Sequence, residues 1–185
     1  KHRGGARIGH DTVSDSLYLD GLEDAYSPGK LMGVFAEEAA VAYQFSREAQ
    51  DAYAVESLTR ARRAVETGAF KREIAAVEVS TRKGTEVVDT DEAPLKADLA
   101  KIPTLKPAFS RDGTVTAANS SSISDGAAAL VITRASVAER LGLSVVARIV
   151  AHAAHAHEPG LFTTAPVPAI QKVLAKAGWS VGDVD

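Results

Sequence analysis

Three histidines, His152, His155 and His157, lie within six residues of one another, and three serines, Ser120, Ser121 and Ser122, stand just ahead of Asp125. An imidazole group of this kind could ligate zinc or another divalent metal, and His155 and His157 would share a face if a strand ran through them. HAAH lacks the glutamate that gives HExxH its base, however, so the plainer reading is of satisfied or solvent-facing histidines and no metal site. The serines, Asp125 and a histidine are the residue types of a hydrolase triad. No GxSxG elbow frames them, and serine runs before Asp-Gly commonly serve turn hydrogen bonding. Asn119-Ser120-Ser121 fits a glycosylation acceptor, read as coincidence because the sequence shows no sign of secretion. Gly4-Gly5 with Gly9 is too loose for a phosphate loop. What the serine loop does offer is a polar backbone and short hydroxyls flanked by the apolar Phe109 and Ala117. A slot with apolar walls and a few placed hydroxyls suits a narrow, amide-bearing ligand such as pantetheine.

The 185 residues include no cysteine. Disulfides, thiolate metal sites and a cysteine nucleophile within this chain are therefore excluded together. Hydrophobic residues make up 45% and charged residues 24%, the balance of a folded domain, and the length allows one domain or one and a half. A formal charge of −3 supplies no broad field for nucleic acid or an anionic membrane, which leaves a local basic patch for a phosphorylated ligand open. No apolar run of bilayer length and no secretory leader is present, so a cytoplasmic or organellar location is expected. The chain opens on Lys1 and stops at Asp185 shortly after Gly178 and Trp179, and both ends read as cut.

The elements that must hold these residues follow from pattern. The first thirty residues read as an irregular polar stretch with a short amphipathic piece, VSDSLYLDGLEDAY, and a break at Ser27-Pro28-Gly29. A helix is expected from Met32 to Phe45. Ser46 then caps a second, whose stripe is Ala54, Leu58, Ala61 and Val65 and whose stop is Gly68. Val77 and Val79 alternate with polar residues, suggesting an extended pair turned at Lys83-Gly84. Residues 93 to 112 suggest loop and short helix. AAALVIT (127–133) and VVARIV (145–150) read as strands covered on both faces, with a helical piece over 136–141 between them. A last helix is expected over 166–177, closed by Gly178. Strand followed by helix is the α/β signature, and the two strands need partners from outside this chain.

Read together, RGGARIGHD, DGLEDAY, LMGVFAEEAA, SREAQDAYAVESLTRARRA, GAFKREI, PAFSRDGTVTAANSSSISDGAAAL, FTTAPVPA and AGWSVGDVD resemble thiolases in order and spacing across essentially the whole chain. GTVTAANSSSISDGAAAL is the most specific of them. The resemblance implies an α/β, thiolase-like fold segment. Residues 1–123 would be the loop domain that covers coenzyme A, 124–143 the end of the first α/β half, and 144–185 the start of the second. It implies an acyltransferase of fatty acid metabolism, of acetyl-CoA acetyltransferase type. Such an enzyme condenses two acetyl-CoA, or cleaves a 3-ketoacyl-CoA, through an acyl-cysteine. Coenzyme A would be substrate and product rather than a cofactor, and a cytoplasmic homo-oligomer, dimer or tetramer, with neither nucleic acid nor membrane as partner, would be expected.

By the same resemblance, Ser121 matches the serine that hydrogen-bonds pantetheine. Ala117 and Phe109 match its apolar neighbours, and Leu22 a residue near the coenzyme. Met32 matches the methionine beside the acyl pocket, and Phe162 a position facing the acyl group. Leu31 stands where many short-chain members have histidine, and Ser122 where glycine is common. Lys96 stands in the stretch where an arginine often meets the coenzyme phosphates, and would replace it with a point charge of poorer geometric fit. The family's nucleophilic cysteine precedes the matched region. The asparagine of NEAF, the histidine of GHP and the second cysteine follow it. This segment alone is therefore expected to be inactive. A free-standing coenzyme-binding module, or a structural domain whose serine loop merely caps a strand, are the alternatives.

Overall fold

The structure, a computed structural model, describes residues 8–10, 12–124 and 127–184; Asp125 and the Gly4-Gly5 pair weighed above lie outside them. Ser46 fixes where the longest helix begins. Its backbone is extended (φ −71°, ψ 158°) and its hydroxyl accepts from the Ala49 N–H at 3.1 Å, satisfying a donor the helix cannot satisfy itself. Helix α2 (Arg47–Glu66) runs from there until Gly68 turns left-handed at φ +69°. Helix α1 (Met32–Ala42) stops three residues before the expected Phe45. Gln44 takes φ +57° and the Phe45 N–H returns to the Ala40 carbonyl at 2.9 Å, a tight reversal that lets Ser46 start α2.

Two arginines then strap the following chain along α2. Arg62 donates from Nε to the Pro94 carbonyl at 2.7 Å and from Nη2 to the Ala97 carbonyl, holding α3 (Ala93–Lys96). Arg47 donates to Asp51 at 2.7 Å and to the carbonyls of Ile102 and Leu105 at 3.0 and 2.9 Å, which fastens the 3-10 turn Leu99–Thr104. Buried Phe35, Ala40, Ala54, Ile102 and Val115 form the core where α1, α2, that turn and the 108–120 loop converge.

The hairpin pairs β1 (Val77–Thr81) with β2 (Gly84–Val88), antiparallel, from Val77↔Val88 to Thr81↔Gly84. Its two-residue turn is Arg82-Lys83, one residue earlier than the pattern indicated, because Gly84 closes the ladder opposite Thr81 and takes φ +126° there. Both strands are exposed. Downstream come α4 (Ala135–Arg140), a 3-10 turn over Pro159–Thr164, and α5 (Pro166–Ala177), closed by Gly178 at φ +72°.

The two expected buried strands need correction. Among the described residues β1–β2 is the only ladder, and 127–133 and 145–150 carry no regular element. Val131 is 96% and Val146 99% exposed. A strand is made by its neighbour's backbone, and no described segment supplies one to either run.

Candidate functional site

Five of the eight sequence-selected residues, Leu22, Leu31, Met32, Phe109 and Phe162, come together around the first turn of α1. Asp24 accepts from the N–H groups of Tyr26 and Ser27 at 3.0 and 2.6 Å, and its own N–H donates to the Lys30 carbonyl at 2.9 Å. This turn over Ser27-Pro28-Gly29, with Gly29 at φ +85°, doubles the chain back so that Glu23 bridges Leu31. Leu22, the last residue of a π-helical turn Tyr18–Leu22, is thereby brought beside Leu31, which caps α1 just ahead of the exposed Met32.

Phe109 reaches the same turn from the far side of the sequence. Its ring occupies the space where a Cβ of Gly33 would stand, so only glycine admits this packing. Phe162 arrives from the 3-10 turn Pro159–Thr164 and meets Phe35 of α1 edge to face, ring centres 5.6 Å apart at 69°. Lys30 Nζ also lies over the Phe35 ring, 3.9 Å from its centre, and pairs with Glu38 at 2.7 Å.

The serine loop is tied to α1 by a residue that sequence reading passed over. Glu37 is only 8% exposed, and its carboxylate accepts four hydrogen bonds from three donors. Oε1 takes the N–H groups of Thr114 and Val115 at 3.0 and 2.9 Å; Oε2 takes the Thr114 N–H at 2.8 Å and its hydroxyl at 3.2 Å. A Cβ on Gly113 would overlap this carboxylate. From α2, Gln50 donates to the Thr114 hydroxyl at 2.9 Å. The only signal for Glu37 in the sequence is an acid inside the small and apolar run MGVFAEEAAVA.

Beyond Val115, whose carbonyl accepts from Ala108 N–H at 2.9 Å, the loop secures itself. Asn119 accepts from the N–H of the fully buried Thr116 at 2.7 Å and donates to the Thr114 carbonyl at 3.1 Å. The three serines then differ. Ser120 donates to the Thr116 carbonyl at 2.7 Å, and Ser122 shares a hydrogen bond with Ser124 at 3.0 Å. Ser121 is exposed, and its hydroxyl has no partner among the described residues. Ala117, also exposed, sits one residue past the buried Thr116.

Lys96 stands apart. It lies on α3 against α2 and pairs with Glu92 at 2.7 Å, both side chains mostly exposed. The histidines form a separate group. Lys172 of α5 lies 2.9 Å from His155 Nδ1, and His155 Nε2 lies 3.3 Å from His157 Nδ1. Loss of solvent, the Lys172 ammonium and His157 together hold the His155 imidazole below its usual pKa. His152 joins through its carbonyl alone, which accepts from Lys176 at 3.2 Å, and among the described residues no three His, Cys, Asp or Glu side chains gather as metal ligands would.

Comparison with known proteins gives the family and the fold. Residues 1–136 match the family description "Thiolase, N-terminal domain" and residues 143–185 match "Thiolase, C-terminal domain". Acetyl-CoA acetyltransferase 1 of Arabidopsis thaliana is 48% identical over 99% of the chain, which covers 45% of that protein. The cytosolic acetyl-CoA acetyltransferase of Mus musculus is 46% identical over 99% of the chain, 47% of its own length. The crystal structure of human mitochondrial 3-ketoacyl-CoA thiolase superposes on the whole chain with a TM-score of 0.87 at 36% identity, again over 47% of its length. The chain thus spans about half the length of the curated relatives it matches.

Proposed function

The chain belongs to the thiolase family and has its fold, and from that premise we propose that it is the coenzyme-covering part of an acetyl-CoA acetyltransferase. The observation that carries this reading is the serine loop. Among Ser120, Ser121 and Ser122, two hydroxyls are hydrogen-bonded within the chain, and that of Ser121 is exposed without a partner among the described residues, four positions past the exposed Ala117 on a loop bound to α1. A free hydroxyl beside an apolar wall suits the amides of a pantetheine arm.

In this reading residues 1–123 form the covering domain, while 124–143 and 144–185 belong to the two α/β halves. Ser121 donates to pantetheine, with Ala117 and Phe109 as its apolar flank and Leu22 near the coenzyme. Leu31, Met32 and Phe162 border the acyl end around α1. Lys96 offers a cation to the phosphates, although its present partner is Glu92. The acyl-cysteine chemistry belongs to parts of the enzyme outside the matched region, since this chain contains no cysteine. Coenzyme A is substrate and product; the whole protein is a cytoplasmic homo-oligomer acting on acyl-CoA in fatty acid metabolism.

The test is thiolysis of acetoacetyl-CoA by the longer protein that carries this segment, with the 185-residue chain assayed in parallel. Turnover by the longer protein and none by the segment is the expected result. A longer protein that binds coenzyme A without turnover would make this a binding module instead, and turnover by the isolated segment would overturn the division of labour.

A further inference from the structure

We infer that Glu37 is a positioning residue for the acyl-CoA site: its carboxylate sets the distance between the acyl end at the start of α1 and the pantetheine-holding Ser121. The inference rests on the reading of the serine loop given above and adds to it a residue that does not touch the ligand.

Three observations carry it. First, Glu37 is a buried acid whose described polar partners are all neutral donors: two backbone N–H groups and one hydroxyl, from Thr114 and Val115. A carboxylate taken out of water is costly unless every lone pair is used, so this arrangement is stable only in one relative placement of helix and loop. Second, the approach is close on both sides. Gly113 lacks a Cβ where the carboxylate lies, and Gly33 lacks one where Phe109 lies, so the loop meets α1 at two contacts that exclude any side chain. Third, both flanks are rigidly connected to candidate ligand residues. Glu37 lies on the helix that starts with Met32. Thr114 leads through buried Thr116, fixed by Asn119 and Ser120, to Ser121. A shift at Thr114 is therefore passed to the Ser121 hydroxyl rather than absorbed between them.

Charge is what the site needs. Glutamine is nearly isosteric, but its amide carries two donors where Glu37 Oε1 or Oε2 now accepts, and one of them must face the N–H groups of Thr114 and Val115 or the Thr114 hydroxyl. The loop has to move to relieve that opposition.

The experiment compares Glu37→Gln, Ser121→Ala and the double variant in the longer, active protein, by steady-state kinetics on acetoacetyl-CoA and by melting. Glu37→Gln should stay folded at the assay temperature and raise KM by roughly three- to tenfold, with a smaller effect on kcat. Because both changes act through one contact, the Glu37→Gln loss should shrink in the Ser121→Ala background. Normal kinetics for Glu37→Gln, or losses that simply multiply with those of Ser121→Ala, would overturn the inference while leaving Ser121 in place. Normal kinetics for Ser121→Ala overturns the underlying loop reading instead, and this inference with it. If Glu37→Gln does not fold, Thr114→Val decides: it deletes the hydroxyl that joins Glu37 to Gln50 and leaves both backbone donors, so KM should rise about twofold, and an unchanged KM would overturn the inference.

Discussion

Replacing Ser121 with alanine removes a hydroxyl that holds nothing among the described residues, whereas replacing Ser120 removes one that holds the loop. The adjacent pair thus separates binding from folding within a single turn. Ser121 is exposed and has no partner among the described residues, so Ser121→Ala should change stability by less than about 0.5 kcal/mol, the usual range of a surface substitution. If that hydroxyl donates to pantetheine, the lost hydrogen bond weakens the complex by about 0.5–1.5 kcal/mol, or roughly two- to twelvefold in kcat/KM. Ser120 donates to the Thr116 carbonyl at 2.7 Å, next to a fully buried residue. Ser120→Ala should therefore cost about 1 kcal/mol of stability and lower kcat/KM on folded protein less than Ser121→Ala does, since it loosens the loop without removing a hydroxyl offered to the ligand. The assay is steady-state thiolysis of acetoacetyl-CoA with a melting curve on each variant of the longer protein. A bond made equally to substrate and transition state shows its loss in KM; one that orients the thioester for attack also lowers kcat. Normal kinetics for Ser121→Ala, with or without a lower melting temperature, would refute the assignment and leave Ser121 a turn residue like its neighbour.

Three further outcomes follow from the same geometry. Phe162→Ala empties the edge-to-face contact with Phe35, 5.6 Å between ring centres, so the longer protein should lose about 0.5–1.5 kcal/mol beyond the buried area and gain activity on longer acyl chains relative to acetoacetyl-CoA; an unchanged ratio of specificity constants would remove Phe162 from the acyl end. His155 has its pKa held below the ordinary value of 6.5, so the unfolded chain binds the extra proton first on acidification. The stability this group contributes is present above that pH and is lost as pH falls through the lower, folded value; melting temperatures measured across that window should decline less for His155→Ala, and identical declines would contradict the account. Expressed alone, the 185-residue chain should self-associate, because Leu130, Val131, Ile132, Val146 and Ile149 are exposed apolar residues without a ladder; a monodisperse monomer with one cooperative melt on size-exclusion and calorimetry would show otherwise.

What the sequence by itself determined was whatever depends on a few neighbours in the chain. Ser46 and Gly68 mark the ends of α2 because capping is settled within a turn, and Gly178 closes α5 for the same reason. The family was equally legible, since thiolase-like segments recur along the chain in order. Local reading already failed by a residue at the hairpin, where the register rather than the Lys83-Gly84 pair chose the turn. At 127–133 and 145–150 no strand forms among the described residues, because continuous apolar sequence marks a segment to be covered, whereas a strand needs the backbone partner that the sequence placed outside this chain. The candidate site shows the same division. Ser121 could be picked out by its motif, but that its hydroxyl has no partner among the described residues while those of Ser120 and Ser122 are bonded depends on how the loop folds on itself. Glu37 was invisible as anything more than an acid in an apolar helix. Its partners lie 77 and 78 residues away in sequence, and only the packing of the 108–120 loop on α1 turns that carboxylate into the clamp between them.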